Sequence, residues 1–144
     1  MLTKIPLPVQ DVLQTLNEAG FEAYIVGGCV RDLLLQRSPK DWDVTTNATP
    51  QDITTLFPES FYENDFGTVG VKVPRFLSTT ETEKENDIIE VTTYRTESAY
   101  TDKRRPDTVS FTQSLEEDLA RRDFTMNAIA YGKKNGIWTC IDPY

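Results

Sequence analysis

Ala23-Tyr24-Ile25-Val26-Gly27-Gly28-Cys29-Val30-Arg31-Asp32-Leu33-Leu34-Leu35, running on through Gln36-Arg37-Ser38-Pro39 to Lys40-Asp41-Trp42-Asp43-Val44-Thr45-Thr46, decides the fold of this 144-residue chain. Its first four residues are a short β-rich apolar run. The run breaks at Gly27-Gly28 and passes into helical spacing through Leu33, Leu34 and Leu35. That is strand, glycine turn, helix. Such a junction points unpaired backbone N–H groups and the positive end of the helix dipole at one spot, and two residues without side chains let an anion approach them. A phosphate fits there, and Arg31 in the first helical turn can add a forked, permanent positive charge.

Ser38-Pro39 stops the helix, and Lys40 to Thr45 reads as a second strand. Strand side chains alternate faces, so Asp41 and Asp43 share one side while Trp42 and Val44 point to the other, toward a core. Two carboxylates along one sheet edge repel each other. A divalent cation removes that repulsion, and Mg2+ is commonly held by one or two carboxylates together with the phosphate oxygens of a substrate. A lone D-x-D reads most simply as solvent-facing charge on an edge strand. Following G-G-x-x-R-D at this distance, it reads as half of a nucleotide site.

Gly27-Gly28-Cys29-Val30-Arg31-Asp32 followed by Lys40-Asp41-Trp42-Asp43 resembles the first signature of the class II tRNA nucleotidyltransferase (CCA-adding enzyme) and poly(A) polymerase family, within the polymerase-β-like nucleotidyltransferase superfamily. Arg121-Arg122-Asp123-Phe124-Thr125-Met126-Asn127-Ala128 is similar to the family's second signature, and Glu90-Val91-Thr92-Thr93-Tyr94-Arg95 to a segment between the two. The resemblance implies catalytic roles for Asp41, Asp43 and Glu90, with the two aspartates as metal ligands. It also implies nucleotide contacts from Gly27, Gly28, Arg31, Asp32, Arg122, Asp123 and Asn127, in which Arg122 meets phosphate and Asp123 helps recognise a ribose.

Composition agrees with a single domain. At 144 residues and 38% hydrophobic the chain can bury one core. No internal repeat and no long apolar run occur, so no membrane span is expected. The first residues lack the apolar core of a secretory signal and the arginines of a transit peptide, so a cytoplasmic location is the default expectation. There is no histidine, which excludes histidine acid–base chemistry, and Cys29 and Cys140 have no metal-binding spacing. Both thiols read as reduced packing residues. A net charge of −8 argues against a domain that grips a nucleic-acid duplex by its phosphates. Glu81, Glu83, Glu85 and Asp87 read as a solvated loop tip.

Val12, Leu13 and Leu16 at helical spacing before Gly20 predict an amphipathic helix over 8–20. Thr49-Pro50-Gln51-Asp52 predicts a capped helix ending before Pro58. Residues 66–73 and 87–94 alternate as strands and are expected to form a hairpin. Residues 96–108, polar and containing Pro106, read as a mobile loop that is either inert or substrate-positioning. A strand follows at 109–112, then a capping box at Ser114 and Glu117. The helix beyond is expected to carry Arg121 and Arg122 about 100° apart, too divergent to do one job. Glu117-Asp118-Leu119-Ala120-Arg121 has the letters of the family's base-selecting motif, but it overlaps the second signature and is discounted. A hairpin turning at Lys134-Asn135-Gly136 closes the chain.

The expected fold is therefore α/β, a polymerase-β-like nucleotidyltransferase head with a mixed sheet of about five strands and flanking helices, occupying residues 1–144. The resemblance spans about residues 21–144 and only the family's catalytic head; its neck, body and tail domains are expected to be missing. It implies template-independent addition of CMP and AMP from CTP and ATP to the 3′ end of tRNA, with Mg2+ as cofactor and an isolated head of weak activity. Poly(A) polymerase and A-only or CC-only addition stay open beside it, as does a nucleotide-binding module whose catalysis has lapsed.

Overall fold

The computed structural model describes residues 4–63, 67–76, 86–102, 105–122 and 128–142. In chain order the elements are α1 (Leu7–Glu18), β1 (Ala23–Val26), α2 (Gly28–Leu34), β2 (Asp43–Thr46), α3 (Pro50–Leu56), β3 (Ser60–Tyr62), β4 (Thr68–Pro74), β5 (Asn86–Thr93), β6 (Arg95–Asp102), β7 (Arg105–Phe111), α4 (Leu115–Ala120), β8 (Ala130–Lys134) and β9 (Ile137–Ile141). Seven strands form one sheet in the order β3-β4-β5-β2-β1-β8-β9, and β6 and β7 form a separate ribbon. β2 and β5 run parallel and the other neighbours antiparallel, so the sheet is mixed as expected. The short edge strand β3 and the closing hairpin carry it beyond the expected five or so strands.

Local chemistry sets the element ends. Gly20 has φ +92°, and the Phe21 N–H bonds back to the Leu16 carbonyl, closing α1 with the six-to-one bond of a glycine C-cap. Thr49 and Asp52 exchange side-chain-to-backbone bonds at 3.1 Å each, a complete capping box on α3. Ser114 Oγ accepts from the Glu117 N–H at 3.3 Å at the start of α4. Asn135 and Gly136, at φ +53° and +79°, make the two-residue turn between β8 and β9.

The sheet has two unlike faces. Val9, Val12, Leu13 and Leu16 of α1, Cys29, Val30 and Leu33 of α2 and Ile53 of α3 pack on Ile25, Val44, Val69, Val71, Ile89 and Val91. On the other face a smaller cluster joins Leu115 and Leu119 of α4 to Tyr24, Val26, Tyr94 and Ala130. The rest of that second face carries the charged residues.

Several expectations change. The expected loop at 96–108 lies within the antiparallel ribbon of β6 and β7, bulged between Glu97 and Asp102. Asp87 is fully buried, not at a solvated tip: alternation along β5 turns it inward with Ile89 and Val91, and its Oδ2 accepts the Phe76 N–H at 2.6 Å. Glu81, Glu83 and Glu85 lie outside the described residues. α4 ends at Ala120, so Arg122 stands beyond it. Cys29 is buried as expected, but Cys140 is exposed on β9; both are free thiols. No described helix is long and apolar enough to cross a membrane.

Candidate active site

The site is built where β1 hands over to α2. Gly27 caps α2 at φ +81° and ψ −140°, a conformation that only glycine adopts without strain. The Arg122 guanidinium lies over Gly27, with Nη1 3.8 Å from where a β-carbon would stand, which is ordinary van der Waals contact. Arg31 folds back over Gly28, with Nη2 3.2 Å from that residue's would-be β-carbon, and its Nε is 3.4 Å from Asp32 Oδ1. The glycine turn is thus flanked by two guanidiniums. Cys29, the residue after the turn, is inert: its thiol donates to the Val26 carbonyl at 3.3 Å, and burial pushes its pKa up to about 11.

The acids arrive from the sheet. β2 begins at Asp43, three residues later than the expected start at Lys40, so exposed Asp41 and buried Trp42 precede it. Asp43 is the parallel register partner of Glu90 on β5, which puts the two carboxyls side by side on the face away from α1. Burial pushes Asp43 up to about 6, helped by the charge of Glu90 and a hydrogen bond to it, opposed by Arg122 and raised further by Asp41. Those causes place Asp41, Glu90 and Arg122 each within electrostatic reach of Asp43. The next position in the same row, Gly70 on β4, has no side chain, and Phe61 of β3 with Glu63 just beyond it fold into the room left. Burial of its carboxyl end and a hydrogen bond to Glu90 push Glu63 up to about 7.

Arg122 is fixed from behind. Asp118, fully buried on α4, bonds Arg122 Nη2 at 3.3 Å and Arg121 Nε at 3.4 Å, one through each oxygen. Asp118 lies three and four residues before the two arginines, so one acid at the end of the helix is reached by both. Arg122 Nε is buried and has no acceptor among the described residues.

Of the residues singled out from sequence, Gly27, Arg122, Asp41, Asp43 and Glu90 come together, with Gly28 and Arg31 at the adjoining turn. Asp32 is occupied with Arg31. Asp123 and Asn127 lie outside the described residues. Glu63 and Asp118 were not singled out as site residues. Asp118 carried a usable signal, since an acid three and four residues before two arginines can reach both across one helical turn; Glu63 sits in a motif-free polar stretch and offered none.

Among the described residues no three histidine, cysteine or acidic side chains form a closed metal-holding group. The arrangement is an open one, with mutually repelling carboxylates on one side and guanidiniums on the other. That suits a cation completed by a bound ligand's phosphate oxygens better than a cage made by protein alone.

A family model described as the poly(A) polymerase head domain matches residues 23–144. The CCA-adding enzyme of Lactobacillus delbrueckii subsp. bulgaricus is 44% identical over 142 residues, 98% of this chain and 33% of that enzyme. That of Listeria monocytogenes serovar 1/2a is 51% identical over 126 residues, 86% of this chain and 29% of that enzyme. Among solved structures, the Bacillus stearothermophilus CCA-adding enzyme in complex with CTP matches with a TM-score of 0.71 and 40% identity, over 97% of this chain and 31% of that one. A tRNA nucleotidyltransferase complexed with a primer tRNA and an incoming ATP analog matches with a TM-score of 0.61 and 30% identity, over 92% of this chain and 34% of that one. The chain spans about a third of the length of these relatives.

Proposed function

We propose, from the premise that this chain belongs to the poly(A) polymerase head-domain family, that it is the catalytic head of a template-independent tRNA nucleotidyltransferase. It would add CMP and AMP, drawn from CTP and ATP, to the 3′ end of a tRNA in the cytoplasm. The observation that carries this reading is the row in which Asp43 and Glu90 stand side by side, facing Arg122 across the Gly27 turn.

In this reaction the primer's 3′-hydroxyl oxygen attacks the α-phosphorus, and the bond from that phosphorus to the bridging oxygen breaks to release pyrophosphate. Gly27 and Gly28 offer backbone N–H groups to the triphosphate, and Arg31 and Arg122 neutralise its charge as it moves onto the leaving group. Asp41 and Asp43, with Glu90 beside them, would hold Mg2+. When bound, Mg2+ lowers the pKa of the attacking hydroxyl and offsets charge on the phosphates. No side-chain general base is then required. Asp123 and Asn127 are assigned to the nucleotide by resemblance alone, Asp123 to its ribose.

Two other readings keep the same head. Poly(A), A-only or CC-only addition uses identical chemistry, and the relatives named CCA-adding enzymes favour mixed C and A addition. A lapsed binding module is disfavoured by the intact Asp41, Asp43 and Arg122. We assign residues 1–144 to the head and the grip on tRNA largely to other domains, in keeping with the chain's net charge of −8.

The test is primer extension on a tRNA lacking its 3′ CCA, with CTP and ATP offered separately and together. The chain alone should extend slowly, only with Mg2+ present, and with weak ordering of C before A. Asp43→Ala should reduce incorporation by about a thousandfold or more, a loss of roughly 4 kcal/mol of transition-state stabilisation. Unchanged incorporation in that variant would remove the carboxylates from the mechanism.

A further inference from the structure

We propose that Asp118 is a positioning residue that holds the Arg122 guanidinium beside the glycine turn and keeps it off the Asp43 carboxylate. The proposal rests on the reading of Arg122 as a phosphate-binding group.

A buried carboxylate is costly unless it is paired and hydrogen-bonded. Asp118 is fully buried, and four donors offset that cost. Thr45 Oγ1 and Arg122 Nη2 reach Oδ2 at 3.1 and 3.3 Å, and the Arg95 N–H and Arg121 Nε reach Oδ1 at 3.1 and 3.4 Å. They come from three places around the site: β2, the first residue of β6, and the turn leaving α4. Thr45 stands two residues beyond Asp43 on the same strand and therefore on the same face. Asp118 is anchored to the strand that carries Asp43, and from that anchor it holds Arg122.

The charges explain why such a holder is needed. Asp43 acts on Arg122 through space, yet Arg122 is ion-paired to Asp118 and not to Asp43. A guanidinium and a carboxylate that come together form a strong forked pair when nothing else holds them. That pair would consume at once the cation meant for phosphate and the acid meant for metal. One carboxylate shared by two arginines leaves a net positive charge in place. Among the described residues Arg122 keeps one buried donor, Nε, without an acceptor, so its pairing with Asp118 does not use its whole donor set.

The simpler alternative is that Asp118 only staples α4 to the sheet. The two are separated by a double-mutant cycle on the 144-residue chain, titrating inorganic tripolyphosphate and, separately, CTP by calorimetry in the absence of divalent cations. Arg122→Met should weaken both ligands by about tenfold, the worth of one charge-assisted hydrogen-bonded contact. Asp118→Asn should cost a similar factor alone and nothing further in the Arg122→Met background, because both act through one guanidinium. In addition, the Nε–H NMR signal of Arg122, assigned by its loss in Arg122→Met, should move in Asp118→Asn before ligand is added. If Asp118→Asn unfolds, Thr45→Val carries the same cycle with an expected loss of about threefold, since it removes one hydrogen bond to the holder.

Equal losses in both backgrounds, or no loss in Asp118→Asn, would overturn the positioning role while leaving the phosphate site intact. Unchanged tripolyphosphate binding in Arg122→Met would instead overturn the phosphate reading, and the proposal with it.

Discussion

The face of the sheet under α1, α2 and α3 and the face that carries Asp43 and Glu90 are made of the same strands and finished in opposite ways. The first is closed: the apolar inward residues of β1, β2, β4 and β5 join the side chains of α1, α2 and α3 in one buried cluster, and Val9, Leu16, Ile25, Ile53, Ile89 and Val91 have no exposure at all. The second carries the smaller cluster of α4 and Tyr94, and beside it two rows, Asp43, Glu90 and Gly70 and then Thr45, Thr92 and Thr68, with exposed Ile88 and Lys72 beyond them. Strand alternation makes the division possible, because one sequence can write an apolar code on odd positions and a chemical one on even positions. The closed face must then supply stability that the open face spends on carboxylates held together against their repulsion.

That division is broken or upheld most directly by truncation on each side. Leu16→Ala on the closed face should cost about 3 kcal/mol, because a fully buried leucine leaves a cavity that a packed helix–sheet interface cannot collapse into. Thr92→Ala on the open face should cost about 1 kcal/mol or less, since it removes little more than the 3.0 Å bond between the Thr92 and Thr68 hydroxyls. Urea unfolding of both variants measures the contrast. Similar costs would mean that the open face is a second structural core, and the argument for a site there would weaken.

What the sequence disclosed follows the same line. The closed face and the element ends are written locally: Gly20, Gly27, the Thr49–Asp52 box and the Asn135-Gly136 turn each act within a few residues, so each could be read without the fold. The meeting of Asp43 and Glu90 depends on a parallel register between distant strands, which no local pattern encodes; only the family resemblance pointed to Glu90. Asp118 was passed over because its letters coincided with a different motif, although its spacing to Arg121 and Arg122 already allowed one acid to serve both. The β6–β7 ribbon was read as a loop because a two-stranded ribbon off the main sheet need not show the apolar alternation by which strands are recognised, and such a strand tolerates Pro106. Asp87 was misread by composition: it sits among acids in sequence, but the alternation of β5 turns it inward.

The smallest effect expected of the open face is also the most specific to it. Asp43 has a folded-state pKa raised to about 6, chiefly by burial and by Glu90, against an unfolded value of 3.8. Between those values the native chain holds more protons at this site than the unfolded chain does. Stability contributed by the group is therefore complete below about pH 4 and is lost as pH rises through 6, with Glu63 at about 7 extending the window upward. The partial exposure of these groups keeps the effect small, about 2 °C in melting temperature for a domain of this size. Asp43→Asn removes the titrating group, so subtracting its melting curve series from that of the parent chain isolates the slope that Asp43 contributes together with its interactions with Glu90 and Glu63. Mg2+ should behave as the mirror image: it binds the deprotonated acids, so it should raise the melting temperature of the parent chain at pH 8, scarcely at pH 5, and in Asp43→Asn at neither. A parent chain whose pH slope matches that of Asp43→Asn, or a Mg2+ effect that survives the substitution, would show that the repulsion on the open face is too weak to recruit a cation.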